Sequence, residues 1–136
     1  MTTAIKLKIP HEPSYHGVAR LVLGGLAARL EVSYEQLEDV QLALASVLED
    51  GGYVRQDQVT VELDVQEDAL ALLVGPLDGR RLRADLDEDT DERIALGRLL
   101  GTLVERVSVE TRPDGEWLRL EKRVTALRQG GSLGRA

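Results

Sequence analysis

The sequence of 136 residues contains no cysteine, no phenylalanine and a single tryptophan. Because thiols are absent, disulfides, zinc–thiolate centres and cysteine nucleophiles are excluded. The apolar core has to be built from Leu, Val, Ile and Ala. A chain of this length buries about two thirds of its unfolded surface, so one domain with its own core is expected.

Positive charge and long apolar runs are also scarce. The net charge of −7 argues against nucleic acid as a partner, since phosphate contacts need a basic face. No apolar run is long enough to cross a membrane, and the N-terminus lacks the apolar segment of a signal peptide. We therefore expect a cytoplasmic protein that binds neither nucleic acid nor membrane. A single domain is predicted over residues 1–124, with a flexible basic tail over residues 125–136.

Alternating apolar and polar residues, and one continuous apolar run over residues 69–74, predict five strands. In the first, Ile5, Leu7 and Ile9 face one way, Lys6 and Lys8 the other, and Pro10 ends the strand. Four further segments read as two antiparallel hairpins: residues 59–65 with 69–74, and 106–111 with 116–124.

Helical spacing predicts three helices, over residues 13–29, 34–49 and 91–105. The second begins with a capping box formed by Ser33 and Gln36. Gly51 or Gly52 is suited to the left-handed position at its end. The interval from Gly75 to Asp89 reads as a charged loop. The economical arrangement is an α+β fold: a two-layer α/β sandwich with a mixed, mostly antiparallel sheet and three helices on one face.

This order of elements resembles the anti-sigma-factor serine kinases of bacteria, members of the GHKL, or histidine-kinase-like, ATPase superfamily. The residues that carry the resemblance are quoted as they stand: Pro10-His-Glu-Pro-Ser-Tyr15, Ala19-Arg20-Leu-Val-Leu-Gly-Gly and Tyr34-Glu-Gln-Leu-Glu-Asp-Val-Gln-Leu-Ala43. The similarity runs to about Val124 and is strongest over residues 3–48. It implies the histidine-kinase-like ATPase fold.

The resemblance also implies an ATP site built from three motifs. The first is a Glu and an Asn four residues apart on the second helix, which supply a general base and a Mg²⁺ ligand. Ser46 stands at the Glu position and Asp50 at the Asn position. A serine hydroxyl is a poor base. Asp50 retains a hard oxygen suited to Mg²⁺.

The second motif, Asp-x-Gly-x-Gly, reads adenine after the second hairpin strand. Direct alignment puts Pro76 at its Asp position; a shift of two residues restores Asp78 but places Arg80 where Gly is needed. Of the third, a Gly-rich lid, only Gly97 remains. The connection before it carries six carboxylates, which would repel a triphosphate. These are Asp85, Asp87, Glu88, Asp89, Asp91 and Glu92.

From these departures we predict a non-catalytic regulatory domain without a cofactor, in which Ser46, Asp50, Pro76 and Asp78 are vestigial nucleotide-site positions. The resemblance implies a sigma factor or an anti-anti-sigma factor as partner, contacted by Arg20. A homodimer is the oligomeric state that we consider for this protein. The alternative is a nucleotide-binding sensor or weak serine kinase that uses ATP and Mg²⁺ in an altered site.

The remaining candidates for chemistry are few. The alternating aspartates after Asp85 do not fit an EF-hand in either register, so no metal site is predicted. His11 and His16, the only histidines, flank the start of the first helix and are expected at the surface.

Overall fold

The computed structural model describes residues 3–29, 32–49, 52–66, 68–87 and 96–124. Five strands and four helices lie in these ranges. In chain order they are β1 (Thr3–Pro10), α1 (Pro13–Arg29), α2 (Tyr34–Leu48), β2 (Gln58–Val65), β3 (Ala69–Leu77), α3 (Gly79–Asp87), α4 (Leu96–Leu103), β4 (Arg106–Arg112) and β5 (Gly115–Arg123). The predicted tail and most of the lid segment lie outside the described residues.

The five strands form one sheet in the order β1-β2-β3-β5-β4. Each of its four pairings is antiparallel. The described sheet is therefore wholly antiparallel, whereas a mixed sheet was predicted. Leu72 on β3 stands opposite Leu63 on β2 and Leu120 on β5, which places three leucines in one row across the sheet centre. The predicted α+β two-layer fold is confirmed.

One face of the sheet is buried under all four helices. Most apolar residues of the strands share this face because side chains alternate along a strand. Among the fully enclosed side chains are Leu23 of α1, Leu44 of α2, Leu82 of α3, Leu100 of α4 and Leu118 of β5. All belong to a single apolar cluster, as expected for two packed layers.

The start and end of α2 follow the sequence prediction. Ser33 is the N-cap, and its hydroxyl accepts a hydrogen bond from the Gln36 amide at 3.2 Å. The helix closes at Glu49, and Gly52 follows with a φ of +66°, in the left-handed region that favours glycine.

Helix α3 corrects the prediction of a loop between β3 and the last helix. Asp78 caps it: the side-chain oxygen accepts from the Arg81 amide at 3.3 Å, and the backbone carbonyl accepts from Leu82. Leu82, wholly buried, and Leu86, half-buried, are four residues apart and hold the helix against the core. The high charge of the segment obscured this short apolar stripe.

The opposite face of the sheet has a small apolar patch covered by long charged side chains. Trp117 lies against Gly75, where a Cβ would collide with the indole ring. The Arg112 guanidinium stacks 4.1 Å from the centre of that ring and also forms a two-pronged pair with Glu62. These hydrogen bonds from Arg112 are the main reason that the pKa of Glu62 lies below its usual range.

We predict opposite effects for the same substitution at two glycines of α4. A Cβ at Gly97 would meet the Leu86 carbonyl of α3, whereas a Cβ at Gly101 would meet nothing within 4 Å. Gly97→Ala should therefore lower the free energy of unfolding by about 1–3 kcal/mol through overpacking. Gly101→Ala should raise it by about 0.5–1 kcal/mol through helix propensity. Urea unfolding of the two variants measures both, and equal effects would contradict the close approach of α3 to α4.

Candidate functional site

A shallow cleft opens where β3 ends. It has a volume of about 300 Å³ and is lined by Arg55, Gln56, Pro76, Leu77, Asp78 and Asp114. This volume is at the lower limit of small-molecule sites, which usually span about 300–1,000 Å³. Two of the predicted nucleotide-site positions, Pro76 and Asp78, therefore lie together in one concave surface.

Asp78 is the most heavily engaged residue of this cleft. One carboxylate oxygen caps α3, and the other accepts from Arg55 at 2.8 Å. Its backbone amide donates to the Tyr53 carbonyl at 2.8 Å. Asp78 is thus fixed from two sides, by the segment after α2 and by the helix that it starts.

Tyr53 ties the segment after α2 to α3. Its ring is buried, with 4% of its surface exposed, and its hydroxyl donates to the Asp85 carboxylate at 2.6 Å. The Arg81 guanidinium lies 6.0 Å from the ring centre. At least one carboxylate of the acidic segment is therefore held by a hydrogen bond inside the fold.

Ser46 lies on α2, apart from this cleft. Its hydroxyl donates to the Leu42 carbonyl at 2.9 Å, the ordinary use of a serine inside a helix. Within the described ranges, no hydrogen bond or ion pair joins Ser46 to Asp78. Asp50 lies outside the described residues. The structure thus brings together two of the four predicted positions and leaves Ser46 separate.

Arg20, the predicted partner-contact residue, lies on α1 beside the end of α2. Its guanidinium forms an ion pair with Glu49 at 3.0 Å, and its side chain remains 40% exposed. Gln41 of α2 donates to the Arg20 backbone carbonyl at 3.1 Å. On the same helix Tyr15, Val18 and Leu21 are exposed at 43%, 39% and 76%.

Sequence reasoning missed Arg55, which lines the cleft, and Tyr53, whose backbone carbonyl accepts a hydrogen bond from Asp78. Both follow the Gly51-Gly52 pair, and their contacts reach residues 23 to 32 positions further along the chain. No spacing rule connects such distant positions. Tyr53, one of only three tyrosines, carried the one compositional hint.

Two further observations limit the chemistry of the described residues. They contain no group of three or more His, Asp or Glu side chains suited to hold a metal ion. No helix in these ranges combines the length and hydropathy needed to cross a membrane.

A second cavity, of about 320 Å³ on the open sheet face, is lined by Lys6, Glu62 and Arg112 among others. Its main charges already pair with one another.

The fold defines a class of protein. The structure matches the crystal structure of the RsbU and RsbW domains of Rv1364c from Mycobacterium tuberculosis with a TM-score of 0.63 at 13% identity, over 91% of this chain and 34% of that chain. At such low identity the match shows the fold alone, and it is the histidine-kinase-like ATPase fold. No protein-family model matches the sequence.

Sequence relatives narrow the class to a family. The serine-protein kinase RsbW of Bacillus pumilus is 31% identical over an alignment of 125 positions, and the match spans 78% of this chain and 77% of the relative. The RsbW of Oceanobacillus iheyensis is 28% identical over 93% of this chain and 68% of the relative. A shorter match, of 75 residues, joins the chain to RsbW of Bacillus subtilis at 31% identity. The chain belongs to the RsbW serine-protein kinase family, as its sequence resemblance predicted.

These relatives correct one prediction. The expectation that the chain is not an enzyme is wrong, because the relatives are serine-protein kinases and therefore enzymes. The error has a physical cause. Phosphoryl transfer depends chiefly on positioning and on charge stabilisation. A general base contributes only about 10²–10⁴-fold in rate, so a substituted base position does not by itself remove activity.

The capping role of Asp78 predicts that two substitutions there differ in stability. Asp78→Ala removes both the cap and the ion pair and should lower the free energy of unfolding by about 1–2 kcal/mol. Asp78→Asn keeps an oxygen that can cap α3 and should cost less than about 1 kcal/mol, because Arg55 is 68% exposed and its ion pair is largely screened. Chemical denaturation measures both. An Asn variant as unstable as the Ala variant would show that the charge, and not the cap, is what matters.

Proposed function

We propose that this protein is a serine-protein kinase of the RsbW family that binds a regulatory protein and phosphorylates it. The observation that carries the proposal is the 31% identity to a serine-protein kinase over more than three quarters of both chains. The shared fold and the cleft at the end of β3 support it. In this proposal the partner is a sigma factor or an anti-anti-sigma factor, the protein acts in the cytoplasm, and residues 1–124 form one domain.

The cleft at the end of β3 fits the adenine end of a nucleotide. The Asp78 carboxylate is an acceptor suited to an exocyclic amino group, and Pro76 and Leu77 supply apolar surface beside it. Arg55 brings a cation to the same cleft. When bound, ATP supplies the phosphoryl group that is transferred. The part of this chain would be to bind and orient the nucleotide and to hold the partner.

Direct phosphotransfer tests the proposal. The full chain is incubated with radiolabelled ATP and Mg²⁺ together with each regulatory protein encoded beside its gene, purified separately. We expect label on a serine of one partner, abolished by EDTA and by replacing that serine with alanine. Absence of label on every candidate, with intact partner binding, would contradict the kinase assignment.

A variant of the cleft separates nucleotide binding from folding. Millimolar Mg²⁺-ATP should raise the thermal midpoint of the wild type, because a ligand at 100 times its Kd adds about 2.7 kcal/mol to stability. Asp78→Asn exchanges an acceptor-only side chain for an amide while preserving the cap, so its nucleotide-dependent rise should be reduced. An undiminished rise in this variant would place the nucleotide elsewhere.

The partner surface is proposed to lie on α1 around Arg20. Arginine and tyrosine are enriched at protein interfaces, and Tyr15, Val18 and Leu21 leave an exposed apolar stripe on the same helix. The Arg20 guanidinium remains partly accessible while paired with Glu49. A partner carboxylate could therefore compete for it, as is common for charged pairs at interfaces.

Arg20→Ala should weaken partner binding by at least about tenfold, equivalent to about 1.4 kcal/mol. Arg29→Ala, at an exposed arginine in the last turn of the same helix, is the matched control and should leave the affinity unchanged. Isothermal titration of the wild type and both variants measures the difference. Equal losses for both variants would indicate a general charge effect and not a contact at Arg20.

A further inference from the structure

The two histidines form a contact that the sequence did not predict. His16, expected at the surface, is only 3% exposed. Its Nε2 lies 3.0 Å from Nδ1 of His11, and the two ring centres are 5.0 Å apart at an angle of 34°. The other ring nitrogen of His16, Nδ1, is buried and has no hydrogen-bond partner. A buried imidazole with one satisfied nitrogen is sensitive to its protonation state.

This sensitivity follows from the number of hydrogens on the ring nitrogens of the two histidines. In the neutral pair one nitrogen of the short contact donates a single hydrogen and the other accepts it. Donation from His16 Nε2 to His11 Nδ1 leaves only a lone pair on the buried Nδ1 of His16. If His11 becomes charged, its Nδ1 carries a hydrogen, and His16 must either lose the contact or move its own hydrogen to the buried Nδ1. If His16 becomes charged, that buried nitrogen again carries a hydrogen without an acceptor. Each route breaks the contact or leaves a buried donor unsatisfied, which is costly.

The charged groups around the pair link it to both helices. Arg20 of α1 and Glu49 at the end of α2 act on His16 in opposite directions while they pair with each other at 3.0 Å. From the segment before β2, the backbone carbonyl of Asp57 accepts a hydrogen bond from the His11 backbone amide at 2.7 Å. Burial, His11 and Arg20 lower the pKa of His16, and Glu49 opposes them.

We propose that His11 and His16 form a proton-sensitive latch that holds the segment between β1 and α1 against α1 and loosens when the pair takes up a proton. A positive charge on the pair gives Glu49 a second cation and weakens its hold on Arg20. Acidification thereby frees the Arg20 guanidinium. A consequent change in partner affinity rests on the proposed function of Arg20; the latch itself does not.

The sign of the pH dependence follows from the lowered pKa of His16. Its unfolded value is 6.5, so the unfolded chain binds a proton before the folded chain does. The stabilisation is full above pH 6.5 and is lost as the pH falls from 6.5 toward the lower folded-state pKa. Histidine is the side-chain type whose charge ordinarily changes between pH 5 and 8, and the sequence has only these two.

The test is an NMR titration of the full chain without nucleotide or partner, so its failure is distinguishable from failure of the proposed kinase function. We expect the His16 ring signals to titrate below pH 6.5 and the Arg20 Nε–H signal to move with the same midpoint. A His16 midpoint at or above 6.5, or an Arg20 signal that ignores it, would overturn the proposal.

A variant supplies the second measurement. The thermal midpoint of the wild type should fall by roughly 2–8 °C between pH 7.5 and 5.5, the size expected for one perturbed group in a domain of this length. His11→Gln, at the more exposed ring, removes the short contact and the influence of His11 on His16, so this fall should become shallower, while burial of His16 preserves part of it. An equally steep fall in this variant would show that the pair is not its source.

Discussion

The structure depends on burial of one face of a five-stranded antiparallel sheet. Three leucines stand side by side on neighbouring strands, namely Leu63, Leu72 and Leu120. Each has 2% or less of its surface exposed. A slip of one residue in any pairing would turn a whole strand's apolar set to the other face. Each such leucine contributes about 1.5–3 kcal/mol relative to exposure, so the register is strongly specified. With no Phe available, the helices must approach the sheet closely through branched aliphatic side chains.

The functional surfaces lie where this layered packing ends. The cleft forms at the end of β3, where Leu77 is the last core residue of the strand, and its other walls come from the segment before β2 and the turn between β4 and β5. Polar contacts hold it: Tyr53 joins α3 through Asp85, and Arg55 joins Asp78. At the end of α2, the ion pair of Arg20 and Glu49 joins α1 to α2 and acts on His16. Both places combine moderate burial with charge, which suits groups that must exchange one partner for another.

Periodicity was enough to predict the strands, α1, α2 and the two-layer fold, because each of these elements buries one regular face. It failed for α3, whose helix rests on a cap at Asp78 and on two leucines within a highly charged segment. It failed for His16, because burial of an imidazole is decided by neighbours distant in sequence. The resemblance singled out Pro76 and Asp78, which line one cleft in the structure, but it did not name Arg55, which lines the same cleft, or Tyr53, which is hydrogen-bonded to Asp78.

The Asp78 carboxylate can accept a hydrogen bond from a ligand in addition to its two structural hydrogen bonds. An ionised carboxylate offers about four acceptor positions, and the cap and Arg55 use one on each oxygen. A nucleotide amino group can therefore be added without breaking the cap. Ser46 differs, since its only hydrogen is committed to the Leu42 carbonyl. A hydroxyl in that state neither accepts a substrate proton readily nor carries charge, so phosphoryl transfer by this chain would rest on positioning and electrostatics more than on a base at this helix.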